Sequence, residues 1–71
     1  MEHIGYKKNE DGELYEIGRI LTMEPWREDS IIESWEIAGW KHYETKEYRN
    51  GNLSQLQIYF IRPDKKGNEE D

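Results

Sequence analysis

The dipeptide Asn50-Gly51, set between two stretches rich in aromatic and β-branched residues, is the strongest local constraint in this chain. Both residue types tolerate positive φ, which a type I′ hairpin turn requires at its two central positions. Trp40–Arg49 and Asn52–Ile61 are therefore predicted to pair as a β-hairpin. With Asn50 and Gly51 as the loop, Arg49 faces Asn52 and the register follows. Tyr43 then faces Ile58, Thr45 faces Leu56 and Lys41 faces Phe60. Leu56, Ile58 and Phe60 share one face with Tyr43, and a helix is expected to cover it. The other face carries Trp40 with Ile61, His42 with Tyr59, and Tyr48 with Leu53. A one-residue slip of the turn exchanges the two faces.

Asn9-Glu10-Asp11-Gly12 is a second turn signal, between His3–Lys8 and Glu13–Met23, and predicts a first hairpin. Tyr15, Ile17, Leu21 and Met23 lie on one alternation of its second strand, Leu14, Gly18 and Ile20 on the other. Neither side is cleanly polar, which suits a central strand, buried within a monomer or by a docked partner. Between the hairpins, Ser30-Ile31-Ile32-Glu33 matches a capping box, and Ile31, Ile32, Trp35 and Ala38 recur at helical spacing. Gly39 stands where a left-handed C-cap belongs. A helix over 30–38 is predicted, with Pro25 and Trp26 in the connection or an earlier turn. The fold class is α+β: a four-stranded antiparallel sheet with one short helix on one face, in the order ββαββ. Residues 1–63 form one small domain, and 64–71 a flexible charged tail.

Composition narrows the function classes. The 71 residues contain no Cys, which removes disulfides, thiolate nucleophiles and Cys-based metal centres. No apolar run approaches the ~20 residues of a membrane span, and Met1-Glu2-His3 does not open a signal peptide. A reducing cytosol is the expected compartment. Leu, Ile, Val and Phe total only 13, but nine aromatics offer a minimal core. A net charge of −6 repels phosphate, so direct nucleic-acid binding is not expected. The charge is uneven. Residues 1–39 hold ten acids and four bases, whereas 40–66 hold three acids and six bases.

No catalytic constellation emerges. His3 and His42 are the two histidines, no Gly-x-Ser-x-Gly elbow occurs, and no residues have zinc spacing. Asn9–Glu13 lacks the full ligand series of a calcium loop. Catalytic residues, metal ligands and cofactors are therefore all expected to be none. Two surfaces remain. Trp40, His42, Tyr48, Tyr59 and Ile61 form an aromatic sheet face with no cover inside the chain, and their composition suits a protein contact. Asp29, Glu33 and Glu36 recur at i, i+4, i+7 and align on a helix, where they form a solvated acidic face or a mimic of nucleic-acid phosphates.

Gly39-Trp40 at a helix-to-strand junction, followed by Tyr43, the Asn50-Gly51 turn and Leu56-Gln57-Ile58-Tyr59-Phe60-Ile61-Arg62-Pro63, resembles small bacterial and phage domains of unknown function. In these a short helix runs into a Gly-Trp strand and a final hairpin ends near Arg-Pro. The resemblance covers about residues 30–63 and implies no catalytic residues. The expectation is a non-enzymatic, acidic protein-binding module, a phage-type inhibitor or adaptor acting on a host or cellular protein. A nucleic-acid mimic using the acidic helix is one alternative, and an oligomeric enzyme subunit completing a shared site around His42 is another. Self-association as a symmetric homodimer through the open sheet face is expected, with no membrane partner.

Overall fold

The turns form where backbone freedom permits them. In the computed structural model, which describes residues 1–64, Asn9 Oδ1 accepts hydrogen bonds from the N–H groups of Asp11 and Glu13, both at 2.9 Å. Gly12 completes that loop at φ +83°. It joins β1 (Glu2–Lys8) to β2 (Leu14–Thr22). A 3-10 turn (Pro25–Arg27) leads into α1 (Glu28–Ile37), which is followed by β3 (Lys41–Asn50) and β4 (Leu53–Pro63). The four strands form one antiparallel sheet in the order β1-β2-β4-β3, with α1 on one face. This is the expected α+β architecture, and of the two placements expected for Pro25 and Trp26 the earlier turn is the one found.

The second hairpin turns one residue later than its sequence signal suggests. Asn50 pairs with Leu53, so Gly51 and Asn52 are the loop. Gly51 has φ +64° and no other residue type has positive φ among the described residues. Glycine at the first central position with a negative φ at the second is the requirement of a type II′ turn, not of type I′. The register moves by two: Thr45 faces Ile58, Glu47 faces Leu56 and Tyr48 faces Gln55. An even displacement by itself leaves the side chains of β4, and of β3 from Glu44 to the turn, on their faces. Leu56, Ile58 and Phe60 therefore still point at the helix.

The helix begins two residues before the expected start. Ser30 does not cap it; its hydroxyl donates back to the Arg27 carbonyl at 3.2 Å. Pro25 presets the first turn, and Glu28 and Asp29 supply negative charge where the helix dipole favours it. At the other end Gly39 adopts φ +101°. Its N–H reaches the Glu36 carbonyl and the Trp40 N–H reaches the Trp35 carbonyl, each at 3.0 Å. This pair of bonds is a Schellman motif, and it carries the usual apolar contact. The rings of Trp35 and Trp40 meet edge to face at 6.5 Å.

That motif sets up a conflict of parity in β3. Trp40 is pinned to the helix side by Trp35, and the turn at Gly51 pins Thr45 and Glu47 to the same side through Ile58 and Leu56. Residues 40 and 45 are an odd number apart, yet side chains on one face of a regular strand are an even number apart. One extra residue must be absorbed, and the register slips between His42 and Glu44. Tyr43 is the bulged residue, and His42 is thereby brought opposite Phe60.

The core is small. Leu56, Ile58 and Phe60 are the buried apolar side chains among the described residues, with Ile20, Ile31, Ile32, Trp35 and Trp40 packed against them. Gly18 on β2 is buried opposite Phe60, and the Met1 side chain lies where a Cβ would stand. Of the expected tail, Asp64 donates its N–H to the Leu14 carbonyl at 2.9 Å. The remaining tail residues lie outside the described ones.

Candidate functional site

The one helix packs over β3 and β4 on one side of the sheet, and among the described residues nothing lies over the other side. The register places Lys7 of β1, Tyr15, Ile17, Arg19 and Leu21 of β2, and Gln57, Tyr59 and Ile61 of β4 on that side. Lys41, Glu44, Lys46 and Tyr48 of β3 join them. The bulge adds Tyr43, whose hydroxyl accepts from Lys7 Nζ at 3.1 Å across the two central strands. Lys7 Nζ lies 4.7 Å from the Tyr43 ring centroid and Lys46 Nζ 5.4 Å from that of Tyr59, within cation–π reach. Arg19 donates from Nε and Nη2 to Glu2 Oε1, at 3.1 and 2.6 Å. The Glu2 carboxylate, then Tyr59, holds the guanidinium still further above its ordinary range, so it is charged at every working pH.

The structure divides the five residues expected on this face. Tyr48, Tyr59 and Ile61 are there. Trp40 and His42 are on the covered side, and Tyr43, expected on the covered side, is on the open one. The bulge is the physical reason. Trp40 packs between Trp35 and the Arg62 guanidinium, which lies 4.4 Å from its ring centroid and is held by Glu16 Oε1 at 3.1 Å. His42 Nε2 is 2.7 Å from Thr45 Oγ1, and its ring meets Phe60 at 6.0 Å. Both are half-buried packing residues.

Asp29, Glu33 and Glu36 are exposed on α1 as their spacing requires. Among the described residues neither they nor Glu28 has an ion-pair partner, whereas Glu2, Glu16, Glu24, Glu44 and Glu47 each have at least one. The outer side of this helical segment also bears Trp26, 77% exposed, and Ile37, 82% exposed. Past the end of β2 the second hairpin projects as a two-stranded arm. Met23, Tyr48, Asn50 and Leu53 line a shallow groove of ~220 Å³ along it.

Among the described residues no three His, Asp or Glu are grouped to hold a metal ion, and no helix is long and apolar enough to cross a membrane. Sequence reasoning passed over the cations of the open face. Their side follows from alternation alone once the register is known. Gly18 carried a usable signal, because glycine inside a strand marks a close approach. No protein-family model matches this chain, and no curated protein or solved structure matches it either.

Proposed function

We propose that this chain is a non-enzymatic protein-binding module, a small inhibitor or adaptor of the kind phages direct at host proteins in the cytosol. The observation that carries this reading is the open sheet face: Tyr43, Tyr48, Tyr59, Leu21 and Ile61 lie opposite the helix with nothing among the described residues to cover them. Aromatic side chains on a rigid scaffold supply large contact area at low entropic cost. The bulge strengthens the case, since bulges re-aim side chains next to functional surfaces. Trp40 and His42 support this face from beneath instead of contacting the partner.

A second reading has one observation behind it, the carboxylates of α1 that have no ion-pair partner among the described residues. They suit a mimic of nucleic-acid phosphates acting on a basic cleft. Capture from a bacterial lysate separates the two. Tyr48→Ser with Tyr59→Ser abolishes capture if the sheet face binds. Asp29→Asn with Glu33→Gln and Glu36→Gln abolishes it, with steep salt dependence, if the helix mimics phosphate. A partner retained by both variants overturns both readings.

A further inference from the structure

The two uncovered surfaces of this domain are opposite in charge and lie on opposite sides. The open sheet face carries Lys7, Arg19, Lys41 and Lys46 against Glu2 and Glu44, a balance of 4 − 2 = +2. The outer helix carries Asp29, Glu33 and Glu36 with no partner among the described residues, a balance of −3. Each surface also presents apolar groups that the described residues leave exposed. Trp26 and Ile37 are the most exposed large apolar side chains. Glu33 and Ile37 lie one turn apart on α1, and Trp26 is exposed on the 3-10 turn that leads into it. On the sheet, Tyr43 and the Ile17–Ile61 pair lie among the cations.

We infer that the acidic outer helix of one copy docks on the basic, aromatic sheet face of a second copy, so that the chain stacks head to tail. This rests on the reading of the open face as a contact surface and names its partner. Charge chooses the arrangement. A twofold dimer with open face on open face would set +2 against +2, whereas the stack sets −3 against +2. The dimensions agree as well. A ten-residue helix runs ~15 Å, and Tyr15 to Leu21 on β2 spans ~20 Å of the sheet. Four strands at ~4.8 Å spacing are ~15 Å wide, so the contact covers roughly 200–300 Å² per copy. That is about a third of a standard interface, so each contact is weak and depends on charge. Because the two surfaces differ, the contact does not close on itself at two copies.

Sedimentation equilibrium of the full chain tests this. At ~20 mM salt the average mass is expected to rise with protein concentration and to pass that of a dimer near millimolar protein. At ~500 mM salt, where screening shortens from about 20 to 4 Å, association is expected to weaken at least tenfold. Lys7→Gln with Lys46→Gln disables the sheet face, and Asp29→Asn with Glu33→Gln and Glu36→Gln disables the helix. All are exposed positions, so both variants fold. Each alone is expected to stay monomeric, and an equimolar mixture to form a dimer and nothing larger. A wild-type protein that stays monomeric at low salt overturns the stack. So does a mass that saturates at a dimer sensitive to the sheet variant alone, which would mark the twofold arrangement. If the pure protein is monomeric while sheet-face variants still lose a captured partner, the stack fails and the binding-module reading stands.

Discussion

Gly39→Ala isolates a single backbone term. Gly39 has φ +101°, and a Cβ built there meets no atom within 4 Å, so no packing clash accompanies the substitution. An L-residue in left-handed backbone costs ~1–2 kcal/mol. The alternative is to release the helix terminus. That gives up two hydrogen bonds worth ~0.5–1.5 kcal/mol each and the Trp35–Trp40 contact, worth a similar amount. Release therefore costs ~1.5–4.5 kcal/mol, and the protein is expected to keep the motif and bear the strain. Total stability for a chain of this length is on the order of 4–11 kcal/mol. The loss is then a substantial fraction, equivalent to a fall in Tm of about 5–15 °C. Thermal unfolding followed by far-UV circular dichroism reads it. The near-UV signal of the Trp pair at low temperature should match the wild type. D-Alanine at position 39, introduced by chemical ligation, fits positive φ and is expected to stabilise relative to glycine by up to ~1 kcal/mol. An L-alanine variant as stable as wild type, or D- and L-alanine equally harmful, refutes the reasoning.

Three further substitutions probe the core and the bulge. Phe60→Ala empties the centre of a three-residue core and is expected to cost ~3–5 kcal/mol, enough to abolish most of the cooperative urea transition; an unchanged midpoint would contradict the assignment. At Gly18, an Ala Cβ displaces only the flexible Met1 side chain and touches Trp40 Cη2 at 3.4 Å, an ordinary contact, so it should be nearly neutral, whereas the added methyls of Val press on that ring. Val is expected to be less stable than Ala by ~1–3 kcal/mol in the same assay. Thr45→Val removes the oxygen beside His42 Nε2 and should cost ~1 kcal/mol, restored by Thr45→Ser; equal midpoints for Val and Ser would show that this hydrogen bond contributes nothing.

What could be read from the sequence follows the range of the forces involved. Gly39 and Gly51 act on their own backbone, so the helix end and the existence of the second hairpin were legible, although the hairpin loop lies one residue later than its signal. The covered face of β4 was legible because an error of two residues in register preserves parity. The start of α1 was not, because Pro25 and the first-turn acids Glu28 and Asp29 compete with the capping box at Ser30, and the competition is settled by small terms. The bulge was not legible at all. It arises from two anchors, Trp35 on the helix and Ile58 on the neighbouring strand, that no window along β3 contains. Trp40 and His42 moved to the covered side for this reason, while Tyr48, Tyr59 and Ile61, beyond its reach, kept the expected face.

Tyr43 is therefore surplus to the folding problem. Without it, positions 40 and 45 would be separated by four steps instead of five, and a regular strand would satisfy both anchors with its ladder intact. The fold can dispense with this residue more readily than with its neighbours. What would vanish is the ring that reaches Lys7 across the sheet. A chain that carries a supernumerary residue, and accepts an interrupted ladder to do so, displays on its surface something its interior never needed.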